Sequence, residues 1–304
     1  MNNKTFLKYI GGLRGLAIIL ILLFHVLPRY FSQGYLGVDI FLVISGFLLF
    51  KSYNQKCDFN FLEFIYNKIK RIYPLLGCTI IVTCVLMTFA LYSTDEARVL
   101  YKTIQKALCG TANFYFDKTY TNYFSDSANL NPLLHLWYLA VIMQVYIIWA
   151  IGNLIVSSIS KLFPNRNHII HNCVLWSVII ISLASFVYSH SLTIHDILAH
   201  LNIELWNQAK EVPYWNTFGR IWQVAAGGLV FILPTFRNTK TNAFLAAAGI
   251  LLMLFLGFSN ISLTPYAALL MTTCTVFVLR YLPLCNFRGI LEFRAITWVG
   301  AISF

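Results

Sequence analysis

The sequence predicts an all-α fold, a polytopic membrane helix bundle of about eight complete transmembrane spans plus a truncated ninth, in one domain covering residues 1–304. Three observations set the class. Of the 304 residues, 59% are hydrophobic and 11% charged, where a soluble domain carries about 25% charged residues. Mean hydropathy is +0.70. Apolar runs long enough to cross a bilayer, roughly 17–25 residues each, recur along the whole chain.

The runs fall near residues 9–27, 35–51, 72–92, 134–156, 172–189, 216–234, 243–258 and 262–280. Loop charge orients them. With the N-terminus inside, the cytoplasmic segments hold Lys4, Lys8, Lys51, Lys56, Lys68, Lys70, Arg71, Lys161, Arg166, Arg237, Lys240, Arg280, Arg288 and Arg294. The opposite loops, longer in total, hold only Arg29, Arg98, Lys102, Lys106, Lys118 and Lys210. This bias predicts an even number of spans up to residue 280 and a cytoplasmic N-terminus. In so apolar a chain the net charge of +11 points to those loops and to anionic lipid or an anionic donor, not to nucleic acid.

Residues 94–133 are then a long outer loop. Within it "RVLYKTIQKALCGTANFYF" has helical apolar spacing with Arg98, Lys102 and Lys106 on one face, which predicts one interfacial helix. The loop 190–215 carries His190, His195, His200, Asp196, Glu204 and Glu211. Its histidines are five apart, not the helical metal spacing of three or four, and His168-x-x-His171 stands alone, so no metal is assigned. The seven cysteines show no C-x-x-C or paired spacing. Arg14 interrupts any cleavable signal.

Polar residues inside the apolar runs carry the functional expectation, since a central charge costs at least about 2.5–3.5 kcal/mol on insertion scales. In "LRGLAIILILLFHV", Arg14 and His25 are eleven residues apart, about 16 Å and three turns, so they share a face. Gly11, Gly12 and Gly15 would let a neighbour approach closely. Snorkelling of Arg14 and a belt position for His25 are the bland alternatives. In "GYLGVDIFLVISGFLLF", Asp39 sits one turn inside the second span, at about the depth of His25, and is expected to orient that ring unless it only caps its helix. Ser45-Gly46 reads as close packing, with no nucleophile elbow around it. Lys68 and Arg71 in "KIKRIYP" share a face and form either a topological anchor or a clamp for a phosphate-bearing cytoplasmic donor. His135 and Trp137 open the fourth span. Gln144 lies near its middle and needs a partner helix. Arg220 lies in the outer half of the sixth span and needs an anion, with Asp39 or substrate as candidates. Gly227-Gly228 reads as close packing. These zones fit either transfer from an inner donor to an outer acceptor or transport of an anion.

"LRGLAIILILLFHV", "GYLGVDIFLVISGFLL", "KIKRIYP", "HLWYLAVIMQVY", "RIWQVAAGGL" and "WVGAISF" resemble, in this order, the acyltransferase-3 family of bacterial integral-membrane O-acyltransferases. The resemblance implies acyl transfer, commonly of acetyl, from cytoplasmic acyl-CoA to hydroxyls of envelope glycans such as lipopolysaccharide O-antigen or exopolysaccharide. It implies a multi-pass protein of the bacterial inner membrane with acyl-CoA as donor substrate and no permanently bound cofactor. Arg14 and His25 match residues implied to be essential. Arg71 matches the second Arg of a basic pair, and Lys68 stands where the first Arg is usual. Asp39, Ser45 and Gly46 match the G-V-D-x-F…S-G-F stretch. Tyr138 and Ile142 depart from W-S-L-x-V-E-x-Q, in which Gln144 remains. Arg220 matches, with Gln223 where Glu is common. The implied roles are His25, Asp39 and Arg14 catalytic; Lys68, Arg71 and Arg14 donor-binding; and His135, Trp137 and Arg220 acceptor-binding. A transporter or flippase of an anionic or glycan substrate is the alternative. The ninth apolar stretch, from Trp298, is too short to cross. It is expected to lie at the interface or pack weakly, leaving an eight-span bundle with one flank uncovered and activity reduced or absent.

Overall fold

The computed structural model describes residues 3–55, 59–89, 93–120, 122–163, 167–191, 212–236, 238–259, 266–285 and 291–302. Every regular element among them is helical. The chain divides into two compact units, residues 1–55 with 223–304, and residues 56–222.

The first unit holds α1 (Asn3–Val26), α2 (Gly37–Gln55), α10 (Thr239–Phe258), α11 (Ala267–Tyr281) and α12 (Arg294–Ile302), together with most of α9 (Ile221–Leu229). Glycine determines how α1 packs. A Cβ on Gly12 would collide with the carbonyl oxygen of Leu291, one on Gly15 with that of Ile296, and one on Gly300 with that of Gly11. Helix α12 is therefore seated backbone-to-backbone on α1, the geometry that small residues permit in membrane helices. The terminal stretch does not pack weakly, because its own Gly300 completes the glycine face of α1.

The second unit holds α3 (Phe61–Phe89), α4 (Thr94–Leu108), α5 (Ala112–Thr119), α6 (Asp126–Asn129), α7 (Leu136–Leu162) and α8 (Asn167–Ser189). The single interfacial helix expected in the outer loop is two. Ser93 and Glu96 form a reciprocal capping box that starts α4, and the chain breaks at Gly110, whose φ is 66°, a left-handed value natural to glycine. The basic side chains are exposed, while Leu100, Thr103 and Ala107 are buried.

Six described helices are long and apolar enough to cross a membrane: Lys8–Val26, Gly34–Ser52, Phe61–Phe89, Leu136–Leu162, Thr239–Phe258 and Ala267–Leu284. This is a multi-pass membrane protein. The expected span 172–189 overlaps the shorter apolar stretch Trp176–Ser189. The expected span 216–234 differs more. It contains a 3-10 turn, Phe218–Arg220, and the nine-residue α9, well short of about 17 residues. Helix α9 ends at Leu229, just after the Gly227-Gly228 pair and ahead of Pro234, residues poorly suited to a helix interior.

Replacing Gly12 by Val should lower the unfolding temperature in detergent, with an overpacking cost of about 1–3 kcal/mol. A Cβ at Gly77 meets nothing within 4 Å, so Gly77→Ala is the control and should leave stability equal or slightly higher. Equal unfolding temperatures for Gly12→Val and wild type would contradict the close contact.

Candidate functional site

In the first unit, His25 lies in the last turn of α1 and is exposed. Its Nδ1 is 2.9 Å from the carbonyl oxygen of Ile21, one turn back, and its ring meets Phe24 edge-on at 5.2 Å. A carbonyl can only accept, so Nδ1 carries the hydrogen, and in the neutral ring Nε2 keeps its lone pair. The backbone thus supplies the orienting contact expected from Asp39.

Asp39 lies deeper than the sequence suggests. Gly34 packs against Leu20 and Phe24, and Gly37 against Ala17 and Ile21, so α2 runs antiparallel to α1 from a start well below His25. Two residues beyond Gly37, Asp39 is closer to the level of Arg14 than to that of His25. Its side chain is 0% exposed, and Arg14 is 9% exposed. Gln223 Nε2 donates to Asp39 Oδ1 at 3.0 Å. The structure therefore brings Asp39 together with Gln223, and His25 together with the Ile21 carbonyl. A lone glutamine in an apolar helix was the available signal for Gln223, as it was for Gln144. Gly46 is against the Val224 carbonyl and Gly227 against Val43 and Phe47, so both expected glycine contacts are close packing between α2 and α9.

In the second unit, Arg71 is exposed, while Lys68 turns inward. The Lys68 ammonium lies 4.3 Å from the ring centroid of Tyr146 and 5.1 Å from that of Phe64, a cation–π arrangement. Lys68 and Arg71, three residues apart on α3, therefore differ in setting: the ammonium lies against aromatic rings and the guanidinium is exposed.

Trp137 and Arg220 do meet. The Arg220 guanidinium carbon is 3.9 Å from the Tyr214 ring centroid and 5.9 Å from that of Trp137, and Arg220 Nε donates to the Tyr214 carbonyl at 2.9 Å. Tyr123 adds a ring 4.7 Å from Tyr214 and 5.9 Å from Trp137. Burial raises the Tyr123 pKa above its ordinary value, against the lowering effects of its hydrogen bond with Trp137 and of the Arg220 charge. Sequence reasoning missed Tyr123 and Tyr214, which lie in loops where the helical period gives no guide. His135 directly precedes α7 and is exposed.

Gln144 has the partners its depth demands. Its Nε2 donates to the Gly110 carbonyl and to Asn113 Oδ1, each at 2.8 Å, and its Oε1 accepts from Thr217 Oγ1. Asn113 Nδ2 donates in turn to Thr217 Oγ1 at 3.0 Å and to the Trp215 carbonyl at 3.2 Å. This network ties the α4–α5 break and the segment before Arg220 to α7. His190, at the end of α8, has its pKa lowered, first by burial and also by the Arg220 charge, against the raising effect of the Phe186 carbonyl. His195, Asp196, His200, Glu204 and Glu211 lie outside the described residues, as do the side chains of His168 and His171. The five described cysteines are free thiols.

A multi-pass helical membrane protein with buried Arg14, Asp39 and Arg220 and a backbone-oriented histidine is the class that fold and geometry define. The chain matches the acyltransferase-3 model, an acyltransferase domain, over residues 7–304, and it belongs to that family. It is 29% identical over 225 residues to BcsY of Komagataeibacter xylinus, named as a membrane-bound transacylase, covering 74% of this chain and 51% of BcsY. It is 31% identical over 198 residues to the O-acetyltransferase OatA of Staphylococcus aureus, covering 64% of this chain and 31% of OatA. The chain thus spans about half and about a third of these relatives. No solved structure matches it.

Gln144→Leu would leave the Gly110 carbonyl and Asn113 without their donor. The expected loss of stability is about 1–3 kcal/mol, read as a lower unfolding temperature. Gln105→Ala, on the exposed face of α4, should change nothing; equal behaviour of the two variants would contradict the network.

Proposed function

We propose that the chain transfers an acyl group, acetyl being the expected one, from acyl-CoA to a hydroxyl of a cell-envelope glycan. Membership of the acyltransferase-3 family over residues 7–304 carries this reading, and the activities for which BcsY and OatA are named support it. His25 Nε2 acts as general base. It takes the proton of the acceptor hydroxyl as that oxygen attacks the thioester carbonyl. Collapse of the tetrahedral intermediate breaks the carbon–sulfur bond, the new ester forms, and the proton held by His25 returns to the departing CoA thiolate.

Arg14, Lys68 and Arg71 bind the phosphate-bearing donor in this reading. Arg71 provides a fork suited to phosphate, and Lys68 a point charge already steadied by aromatic rings. Asp39 balances the charge of the buried Arg14 in the first unit. Trp137, Arg220 and His135 serve the acceptor: an aromatic face beside a guanidinium suits a sugar ring with polar substituents. The protein sits in the bacterial inner membrane with its N-terminus in the cytoplasm, so the donor comes from the cytoplasm.

The test is release of CoA thiol by purified protein supplied with acetyl-CoA and envelope glycan, with mass spectrometry of the glycan. Wild type should release thiol and acetylate the glycan; glycan translocation without thiol release would instead mark a transporter or flippase. His25→Ala should insert normally, bind donor and lose about 10²–10⁴-fold in rate. A well-inserted His25→Ala protein with near-normal turnover would remove His25 as base. Arg71→Ala should weaken CoA binding by about 1.5–3 kcal/mol, the value of a hydrogen bond to a charged group. Unchanged CoA affinity would leave Arg71 a topological anchor only.

A further inference from the structure

Asp39 and Gln223 are 184 residues apart in sequence, and the crossing of α2 with α9 is what joins them. On α2, Asp39 and Gly46 are seven residues apart, two turns, and so share a face. On α9, Gln223 and Gly227 are four apart and share a face too. Gly46 meets the Val224 carbonyl, Gly227 meets the backbone of Val43 and Phe47, and Gly228 meets the Phe50 ring. These contacts all lie between Val43–Phe50 of α2 and Val224–Gly228 of α9, and Asp39–Gln223 is the polar pair at the N-terminal side of both stretches. Any larger residue at Gly46 or Gly227 would hold the helices apart and pull the amide from the carboxylate.

The chemistry of the pair is as specific as its placement. Asp39 is 0% and Gln223 1% exposed, so the bond at 3.0 Å is made away from water, where a carboxylate keeps its charge only if partners replace its hydration. An amide donates to a carboxylate and has no proton to give up or share. A carboxyl in its place would share one proton with Asp39, since two carboxylates about 3 Å apart cannot both ionise.

We propose that Gln223 is a positioning residue for Asp39: the α2–α9 glycine crossing delivers its amide to Oδ1, fixing the carboxylate and holding it in the ionised form on which activity depends. This rests on the acyl-transfer reading for its link to turnover, but not for the pairing itself. Helix α9 contributes no titratable group to the surroundings. Helix α1 contributes Tyr9 and Arg14, both buried, and Lys8 and His25, both exposed; α11 contributes buried Cys274 and Tyr281, and half-buried Arg280. Tyr35 lies in the turn before α2, and Lys51 two turns or more beyond Asp39 on α2 itself. Of these groups Arg14 is the buried cation at about the level of Asp39.

The experiment compares wild type with Gln223→Glu, Asp39→Asn and the double swap Asp39→Asn with Gln223→Glu, each measured for unfolding temperature and CoA release across pH. Gln223→Glu should match wild type at the acid end, where the introduced carboxyl is protonated and donates as the amide does. Its native pKa is raised by Asp39, so the stability it contributes is present at low pH and is lost as pH rises through that native value. Unfolding temperature should fall there, and rate about tenfold per pH unit, on a limb wild type lacks. The double swap restores an amide–carboxyl pair and should recover unfolding temperature without recovering rate. Gln223→Glu tracking wild type at every pH would overturn the proposal. So would a double swap that recovers rate along with stability, because the pair would then be packing alone. If wild type releases no CoA, the acyl-transfer reading fails, and the pH dependence of unfolding alone decides the pairing.

Discussion

Gly12, Gly15 and Gly300 let α1 meet α12 and Leu291 just before it with carbonyls standing where Cβ atoms would otherwise be, and the rest of the first unit is arranged around α1. Between membrane helices no hydrophobic drive favours one partner over another, so close backbone contact selects the partner. With one face of α1 given to α12, the chain after His25 turns back and sets Gly34 and Gly37 against the adjacent stretch Ala17–Phe24. That contact fixes the depth of Asp39, and the Gly46–Gly227 crossing then decides which side chain reaches it. Charge placement follows from where backbones can touch.

The second unit meets the same problem with hydrogen bonds. Gln144, Asn113 and Thr217 satisfy one another and the carbonyls of Gly110 and Trp215. A fully satisfied network of this kind rigidifies the backbone that carries it. It fixes the segment leading to Arg220, whose guanidinium carbon then lies 3.9 Å from the Tyr214 ring centroid. Lys68 illustrates the difference between a positive charge and a phosphate fork: at 4.3 Å over Tyr146 its ammonium is already engaged, whereas Arg71 is exposed.

The membrane class, the helix positions and the polar residues inside them were legible in the sequence because each is a one-dimensional signal: run length, loop charge, a charge in an apolar run. Gln144 shows the reach of that logic, since the demand for a partner is readable while the partner, Asn113 at the start of α5 and 31 residues away, is not. Depth misled at Asp39, because counting from the start of a span ignores how far the preceding turn descends. Length misled at 216–234, where apolar composition continues past the point at which Gly227, Gly228 and Pro234 stop a helix. The tyrosines around Arg220 carry no period to read. Family resemblance supplied the reaction, which no spacing alone selects over anion transport.

In the first unit the backbone of α1 sets the chemistry of His25, through Nδ1–H bonded to the Ile21 carbonyl. Nitrogen NMR of the protein labelled at histidine, with the His25 signal assigned by its loss in His25→Ala, reads the tautomer directly at a pH where the ring is neutral. The Ile21 contact predicts a protonated Nδ1 and a bare Nε2. A neutral ring protonated at Nε2 would contradict it, because the lone pair would then face the helix and not an acceptor hydroxyl.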